Sequence, residues 1–207
     1  YSSVKSHKSF AIKPTDFHNL TPKLSVKIGD KVKAGSVVFF DKYNDKINFC
    51  SPVSGEVTDI VRGAKRRILE VLINADEEIK YDSFPVLKSI DLSREQIIDN
   101  MLKCGVWPFI RQKPYDIIAN PTDMPKAIFI SAFKSGPLAI DNDFALYGMD
   151  DLFQLGLDFI SKLTNGLLHL NLDGNTNSSR VFTHAKGVEI NKFSGPHPAG
   201  NIGVQVH

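Results

Sequence analysis

The chain has 207 residues and a formal net charge of +2, from 25 Lys and Arg against 23 Asp and Glu. Hydrophobic residues make up 42% and charged residues 23%, which is ordinary for a globular protein of one or two domains. So small a net charge gives no electrostatic case for nucleic acid. Two cysteines exclude a disulfide-rich scaffold and a four-cysteine metal site. No apolar run approaches the roughly 20 residues needed to span a bilayer, and no signal-peptide pattern is present.

Residues 24–73 predict a compact β-structure of short strands. Residues with β-branched or aromatic side chains alternate around turns at Gly29-Asp30, Ala34-Gly35, 51–55 and Gly63. The phrases V-K-I-G-D-K-V-K-A-G and S-P-V-S-G-E-V resemble the biotinyl/lipoyl carrier fold, a flattened barrel of hammerhead strands. Such carriers present one lysine at the tip of a tight hairpin.

Whether the barrel carries a modified lysine is the first functional question that its fold raises. Alignment on the Ser51-Pro52 turn places Asn44 at the lysine position, with Lys42 or Lys46 as the neighbouring lysines able to reach the tip. The residues around them do not match the carriers' motifs. We therefore expect an unmodified barrel that serves as a scaffold.

A capped helix and a proline-containing linker are predicted to follow the barrel. Ser93 and Gln96 form a capping-box pattern, and apolar residues at helical spacing predict one buried face. These apolar residues are Ile97, Ile98, Met101 and Leu102. Gly105 predicts the helix end, and Cys104 beside it is interpreted as a core thiol. Trp107 and Phe109, in the following proline-containing stretch, are predicted to pack the barrel against the next domain.

The second half predicts a Rossmann-like α/β domain. Continuous apolar runs at 127–132 and 166–172 predict buried strands, and 149–163 between them predicts a helix. The predicted apolar helix positions are 152, 153, 156, 159, 160 and 163. A third strand is expected at 188–193 and a short helix within 175–185. Strand, helix, strand favours a parallel sheet.

The loop after the first of these strands, 133–141, does not predict a nucleotide site. It contains one glycine, followed by proline, whereas the dinucleotide fingerprint needs closely spaced glycines. A P-loop is also absent, so we expect no NAD or flavin on this chain. Asp141 and Asp143 are either an acid pair or, as we prefer, parts of a solvated loop.

The last stretch, 193–203, surrounds His197 with glycines and prolines. Imidazole titrates near neutrality, so His197 is a candidate ligand, acid/base group or quinone-oxygen partner. The alternative is a loop histidine bonded to the backbone. The six histidines show no spacing typical of a zinc site. Residues 202–206 are expected to form a strand that continues beyond His207, within a longer protein.

Taken in order, these segments resemble a specific family. The carrying motifs include F-D-K-Y (40–43), C-S-P-V-S-G-E-V (50–57), G-V-W-P-F-I-R-Q-K-P (105–114), A-I-F-I-S-A-F-K-S-G-P-L-A (127–139) and F-S-G-P-H-P-A-G-N-I-G (193–203). The chain resembles the A subunit of the bacterial sodium-translocating NADH:quinone oxidoreductase over nearly its whole length. The family's protein is longer at both ends, so the resemblance implies a fragment.

The resemblance implies a peripheral protein on the cytoplasmic side of the bacterial inner membrane. Its complex couples NADH oxidation and reduction of ubiquinone or menaquinone to sodium export. This chain would hold no redox centre, and NADH and FAD would be used by other subunits. Its partners would be those subunits, chiefly one in the membrane, and the quinone. The alternatives are a flavin- and iron–sulfur-bearing subunit of an Rnf-type complex and a biotin or lipoyl carrier.

The predicted organisation has four parts: a biotinyl/lipoyl-like barrel (1–80), a linker with a helix (81–125), a Rossmann-like domain (126–193) and the start of a β-grasp-like region (194–207). The fold class is therefore a barrel-sandwich hybrid followed by an α/β domain. No catalytic or metal-binding residue is predicted. The candidate quinone or partner contacts are Arg62, Lys65, Arg66, Arg67 and His197.

Overall fold

The computed structural model describes residues 7–85 and 92–206. These residues fall into two units. The first comprises the described parts of Tyr1–Lys88 together with Ile98–Pro121, and the second those of Ser89–Ile97 and Thr122–His207. The predicted domain boundaries at 80, 125 and 193 stay a prediction.

The first unit is built of short strands joined by tight turns, as the alternating sequence predicts. Its strands are β1 (Ser9–Ile12), β2 (Pro22–Leu24), β3 (Lys31–Val32), β4 (Val37–Asp41), β5 (Asn44–Cys50), β6 (Gly55–Arg62), β7 (Ile68–Ala75), β8 (Arg111–Gln112) and β9 (Ile117–Ile118). One antiparallel sheet has the order β1-β7-β6-β3, a second has the order β2-β4-β5, and β8 pairs with β9. This is the architecture of a barrel-sandwich hybrid.

The core of the first unit is formed by the inward-facing residues of both sheets. Val57, Val71 and Ile73 of β6 and β7 are fully buried. Phe39 and Phe49 stack with their ring centroids 4.7 Å apart. Alternate residues of a strand point to opposite faces, so this packing follows from the alternation in the sequence.

Helix α1 (Arg94–Lys103) begins with the predicted capping box. The Ser93 N–H donates to Gln96 Oε1 at 2.9 Å, and the Gln96 N–H donates to Ser93 Oγ at 3.3 Å. Gly105 follows the helix with φ +71°, a conformation that glycine adopts without strain, so the predicted helix end is confirmed. Trp107 is buried, and its indole N–H donates to the carbonyl of Ala119 in the same unit at 2.7 Å.

The second unit contains the predicted parallel sheet. Its remaining elements are β10 (Ala127–Ser131), α2 (Asn142–Ala145), α3 (Asp150–Ser161), β11 (Leu167–Asp173), α4 (Arg180–Thr183), β12 (Glu189–Phe193) and α5 (Ile202–Gln205). Strands β10, β11 and β12 lie side by side in that order and are all parallel. The predicted Rossmann-like α/β fold class is confirmed.

The two faces of this sheet differ in polarity. Leu170 and Leu172 form an apolar core with Val181 and Phe182 of α4. The opposite face carries His169 and Asn171 of β11 and Asn191 of β12. The prediction that the first strand is buried on both faces is too strong, because all five residues of β10 are only half-buried.

Two local predictions in this unit are wrong. Residues 202–206 contain α5 rather than a strand, and Gln205 is held inside by hydrogen bonds that a strand pattern does not anticipate. In α3, Leu152 was expected on the buried face but is 68% exposed, whereas Leu157 is 2% exposed. The helix is apolar on two sides, so periodicity alone did not identify the side that packs.

Among the described residues, no helix combines the length and the apolar character that crossing a bilayer requires.

Candidate functional site

The predicted basic residues cluster in the turn between β6 and β7. Arg62 ends β6, and Lys65, Arg66 and Arg67 occupy the turn with their side chains exposed. Arg62 Nη1 donates to the Arg66 carbonyl at 3.2 Å, which ties the turn to the strand. None of the ion pairs formed within 7–85 and 92–206 involves these four side chains, so their charge is presented to solvent.

The backbone of this basic turn is strained. Lys65 and Arg66 have φ of 55° and 61°, in the left-handed region that costs a side-chain-bearing residue roughly 1–2 kcal/mol. Strain of this kind concentrates at functional sites, where the surrounding structure maintains it. Here the Gly63 N–H donates to the Arg67 carbonyl at 2.8 Å and closes the turn. The turn therefore displays its cations in a defined arrangement.

The hairpin between β4 and β5 corrects the lysine alignment. Its two turn residues are Lys42 and Tyr43, and Asn44 is already the first residue of β5, paired with Asp41. The lysine at the tip is therefore Lys42, two positions before the expected place, because the hairpin is shorter than the alignment assumed. Lys46 lies within β5. The dissimilar flanking residues, rather than a missing lysine, therefore distinguish this hairpin from that of a carrier.

His197 pairs with a serine from the loop after β10. Its Nδ1 lies 3.2 Å from Ser135 Oγ, and the Gly200 N–H donates to the same oxygen at 2.8 Å. No described residue bonds to Nε2, and the His197 side chain is exposed. If the hydroxyl donates to Nδ1, the proton of the neutral imidazole is on Nε2, which is then a hydrogen-bond donor to an outside partner.

The His197 loop is anchored at two points. At Gly200 a Cβ would lie 2.2 Å from the Ser135 backbone nitrogen, so the two loops approach closely only because residue 200 is glycine. At the other point, Gln205 Nε2 donates to the Ala199 carbonyl at 3.1 Å. These contacts hold the loop against the ends of β10 and α5.

Gln205 also belongs to a buried polar network. Asn171, which is fully buried, donates from Nδ2 to Gln205 Oε1 at 3.1 Å and accepts from Asn191 Nδ2 at 3.1 Å. Asn191 Nδ2 also lies 3.2 Å from Nδ1 of His169. Buried polar groups are costly unless they are paired, so this network specifies how α5 and the loop before it dock on the sheet.

A small acidic cleft lies at the carboxyl ends of β10 and β11, where Rossmann-like domains bind their ligands. Its volume is about 130 Å³, and Lys134, Asp141, Asp143 and Asp173 are among its lining residues. Ligand pockets are typically about 300–1,000 Å³. Three carboxylates against one lysine also disfavour a pyrophosphate, so the cleft does not fit a dinucleotide or flavin.

The two aspartates for which an acid pair was the alternative to a solvated loop have structural roles. Asp141 caps α2 by accepting from the Phe144 N–H at 3.1 Å. Asp143 accepts from the Ser179 N–H at 2.7 Å and fixes the start of α4. The solvated-loop interpretation was therefore incomplete, since both carboxylates organise the backbone around the cleft. In the part of the chain that the structure describes, no group of three or more His, Cys, Asp or Glu side chains is arranged to hold a metal ion.

The two cysteines are free and half-buried in the first unit. Cys50 lies against the helix end, since a Cβ added at Gly105 would be 2.6 Å from its Sγ. Burial, and then the nearby Cys104 and Asp82, raise the pKa of the Cys50 thiol to about 11. A thiol with so high a pKa is a poor nucleophile, and Cys104 Sγ is 3.7 Å from the Met101 carbonyl.

The site predictions thus separate into two groups in different units. Arg62, Lys65, Arg66 and Arg67 share one turn of the first unit, and His197 lies in the second. Sequence reasoning missed Ser135 and Gln205, which position the His197 loop. Ser135 is 62 residues from His197, and no local pattern links the two.

The fold and these sites define a class: a barrel-sandwich hybrid followed by an α/β domain. Family models match both parts, the NqrA N-terminal barrel-sandwich hybrid domain at residues 1–76 and the NqrA second alpha/beta domain at 92–207. The chain belongs to the NqrA family.

Curated relatives agree with the family models. The A subunit of the Na(+)-translocating NADH-quinone reductase of Pseudomonas aeruginosa strain PAO1 is 34% identical over 97% of this chain and 44% of the relative. The proteins of the same name from Saccharophagus degradans and Vibrio anguillarum are 34% and 31% identical, over 97% and 98% of this chain and 45% of each relative. The chain therefore spans about half the length of the curated relatives it matches.

Proposed function

We propose that this chain is the barrel and α/β part of the NqrA protein of a sodium-translocating NADH:quinone reductase. The observation that carries the proposal is the similarity to relatives from that complex across 97% of the chain, through both domains in order. In this proposal the complex couples NADH oxidation and reduction of ubiquinone or menaquinone to sodium export. The chain belongs to a peripheral subunit on the cytoplasmic side of the bacterial inner membrane.

The subunit contributes to docking or to the quinone site and does not hold a redox centre. The small, acidic cleft supports this assignment, because a flavin or nicotinamide dinucleotide needs more volume and a phosphate-binding backbone. NADH and FAD are used by other subunits. A membrane subunit is the principal partner.

His197 is the candidate quinone contact. Ser135 Oγ is 3.2 Å from its Nδ1 and orients the exposed ring, and when the serine hydroxyl donates to Nδ1, Nε2 carries the proton and donates to a quinone carbonyl. The Gly200 N–H bond to Ser135 keeps the serine in place. A donor held in this way stabilises the negative charge that develops on a quinone oxygen during reduction.

The Arg62–Arg67 turn is the candidate partner contact. Its four cations are exposed, are joined to no described carboxylate, and sit on a rigid β-hairpin. An acidic surface of another subunit fits this charge, and such pairs chiefly increase the rate and specificity of association. Assembly that depends on these cations should weaken as salt is raised.

The test uses the complete complex and the full-length NqrA protein. A tag on a membrane subunit should co-purify full-length NqrA from bacterial membranes, and a quinone analogue should bind the complex. His197→Gln should weaken binding of the analogue while assembly is retained. Replacing Arg62, Arg66 and Arg67 by serine should weaken assembly in a salt-dependent way.

Three results would contradict the proposal. Failure of the wild-type protein to co-purify removes the role in the complex. A flavin or iron–sulfur absorbance spectrum of the purified full-length protein, or micromolar NADH binding by it, favours the Rnf-type alternative. A mass increment on Lys42, which lies at the hairpin tip, favours the carrier alternative.

A further inference from the structure

Helix α3 is apolar on two sides. Successive helical residues are rotated by about 100°, so one stripe contains Phe153, Leu157 and Ile160, and a second, containing Leu152 and Leu155, lies roughly 130° around the helix. The first stripe packs on the core, where the Phe153 ring meets Phe182 edge-on at 5.3 Å. The second stripe is exposed. A helix that is apolar all round is typically covered on both sides.

The chain before α3 carries further exposed apolar residues. We define the apolar face as Leu138, Ile140, Tyr147, Met149, Leu152 and Leu155, each of which is exposed. A single exposed apolar residue is normal and needs no explanation. With Phe144, which is also exposed, seven large apolar residues within 138–155 of one unit are a concentration of the kind that marks interaction surfaces.

Leu138 supplies independent evidence, because its backbone is strained although its side chain packs on nothing in the described unit. It is fully exposed, with a relative accessibility of 105%, and has φ +57°. It occupies the third position of a turn that starts at Gly136, follows Pro137 and is closed by the Ala139 N–H to the Gly136 carbonyl. Glycine or asparagine is preferred at such a position. A leucine held there against its backbone preference points to a role for the side chain outside the unit.

The charge around the apolar face indicates its partner. From Lys134 to Asp158 the charged residues are one lysine, Lys134, and five aspartates, although the whole chain has a net charge of +2. The aspartates are Asp141, Asp143, Asp150, Asp151 and Asp158. An anionic membrane surface would be repelled by this segment. A basic, amphipathic protein segment would be attracted to it.

We propose that the apolar face docks a basic, amphipathic segment of the membrane subunit. This inference rests on the proposed function, which supplies a membrane partner on the cytoplasmic side. Cytoplasmic loops of membrane proteins are rich in Lys and Arg near their transmembrane ends, so the required chemistry is available there. The docking surface belongs to the second unit, whereas the basic Arg62–Arg67 turn belongs to the first.

The test is retention of full-length NqrA in the complex purified through a tag on the membrane subunit. Leu138→Asn combined with Leu152→Gln should lower retention about tenfold, because apolar anchors at an interface centre dominate binding energy. Leu138→Met keeps an apolar side chain and should be retained like the wild type. Ile28→Asn, at an exposed apolar residue of the first unit, is the matched control and should also be retained.

Two further measurements identify the cause and the occupant. Leu138→Asn alone should leave the thermal unfolding temperature unchanged or raise it, because asparagine tolerates this backbone better than leucine. Lower retention of this variant in the complex is then not caused by loss of the fold. A photo-crosslinking phenylalanine analogue at position 152 should crosslink to a loop of the membrane subunit.

The opposite results overturn either the docking inference or the proposed function. Retention of the double variant at the wild-type level overturns the docking inference alone. So does a crosslink to a second copy of this chain, or binding to phosphatidylglycerol vesicles that depends on Leu138. Absence of the wild-type protein from the complex overturns the proposed function, and this inference with it.

Discussion

Replacing Gln205 by methionine should loosen the second unit. The side chain is 7% exposed and bridges the fully buried Asn171 to the carbonyl of Ala199. Methionine has a similar volume and flexibility but cannot accept the Asn171 N–H. Val204→Met, at an exposed position of the same short helix, is the matched control.

The expected magnitude follows from the groups left without partners. A buried amide donor that loses its acceptor costs about 1–3 kcal/mol, whereas the half-buried Ala199 carbonyl can turn to water at little cost. The free energy of opening the second unit should therefore fall by about 2 kcal/mol, which corresponds to about a 30-fold rise in the population of the opened state. Val204→Met should change it by less than about 0.5 kcal/mol, as exposed substitutions usually do.

Hydrogen exchange of the Leu170 and Leu172 amides is the suitable assay. Both residues are fully buried in β11, so their exchange reports opening of this sheet. The fluorescence of the single tryptophan is unsuitable, since Trp107 lies in the first unit. Unchanged exchange in Gln205→Met would refute the reasoning, because it would mean that the polar network does not hold α5 on the sheet.

Four further predictions concern three single residues. Cys50, with a pKa of about 11 against an ordinary 9.0, should be alkylated at pH 8 about 100-fold more slowly than a thiol at the ordinary value. Because that pKa is raised on folding, its contribution to stability is complete below pH 9 and is lost as pH rises towards 11, which denaturation at several pH values would detect. Gly200→Ala should lower the unfolding temperature and weaken quinone-analogue binding together, because its Cβ would meet the Ser135 nitrogen at 2.2 Å; unaltered values for both would contradict the close approach. Arg66→Gly should stabilise the β6–β7 turn by about 0.5–1 kcal/mol by relieving a positive φ, and a lower midpoint in urea denaturation would count against strain there.

Features encoded by near neighbours in the chain were predictable. The Ser93–Gln96 capping box formed as expected, because both partners lie within one helical turn. The parallel sheet followed from the strand–helix–strand order, which leaves few topologies. The barrel strands followed from alternation and turn residues, and the family was recognisable from the motifs.

Features that depend on distant residues were not predictable. The sequence could not say which side of α3 packs, because both sides are apolar and the choice between Leu152 and Leu157 is made by Phe182 and the sheet beyond it. Nor could it distinguish α5 from a strand, since Gln205 is held by Asn171, 34 residues earlier.

By itself, the sequence determined the alternating strands of the barrel, the start of α1, the parallel topology of the second unit and the family of this protein. Only the tertiary structure decided that Lys42 occupies the hairpin tip, that Ser135 orients His197, and that an apolar face around Leu138 is left exposed. The physical reason is the separation along the chain of the residues that make each feature. Turns, caps and alternation are properties of a few consecutive residues, whereas sites and surfaces are made by side chains that only packing brings together.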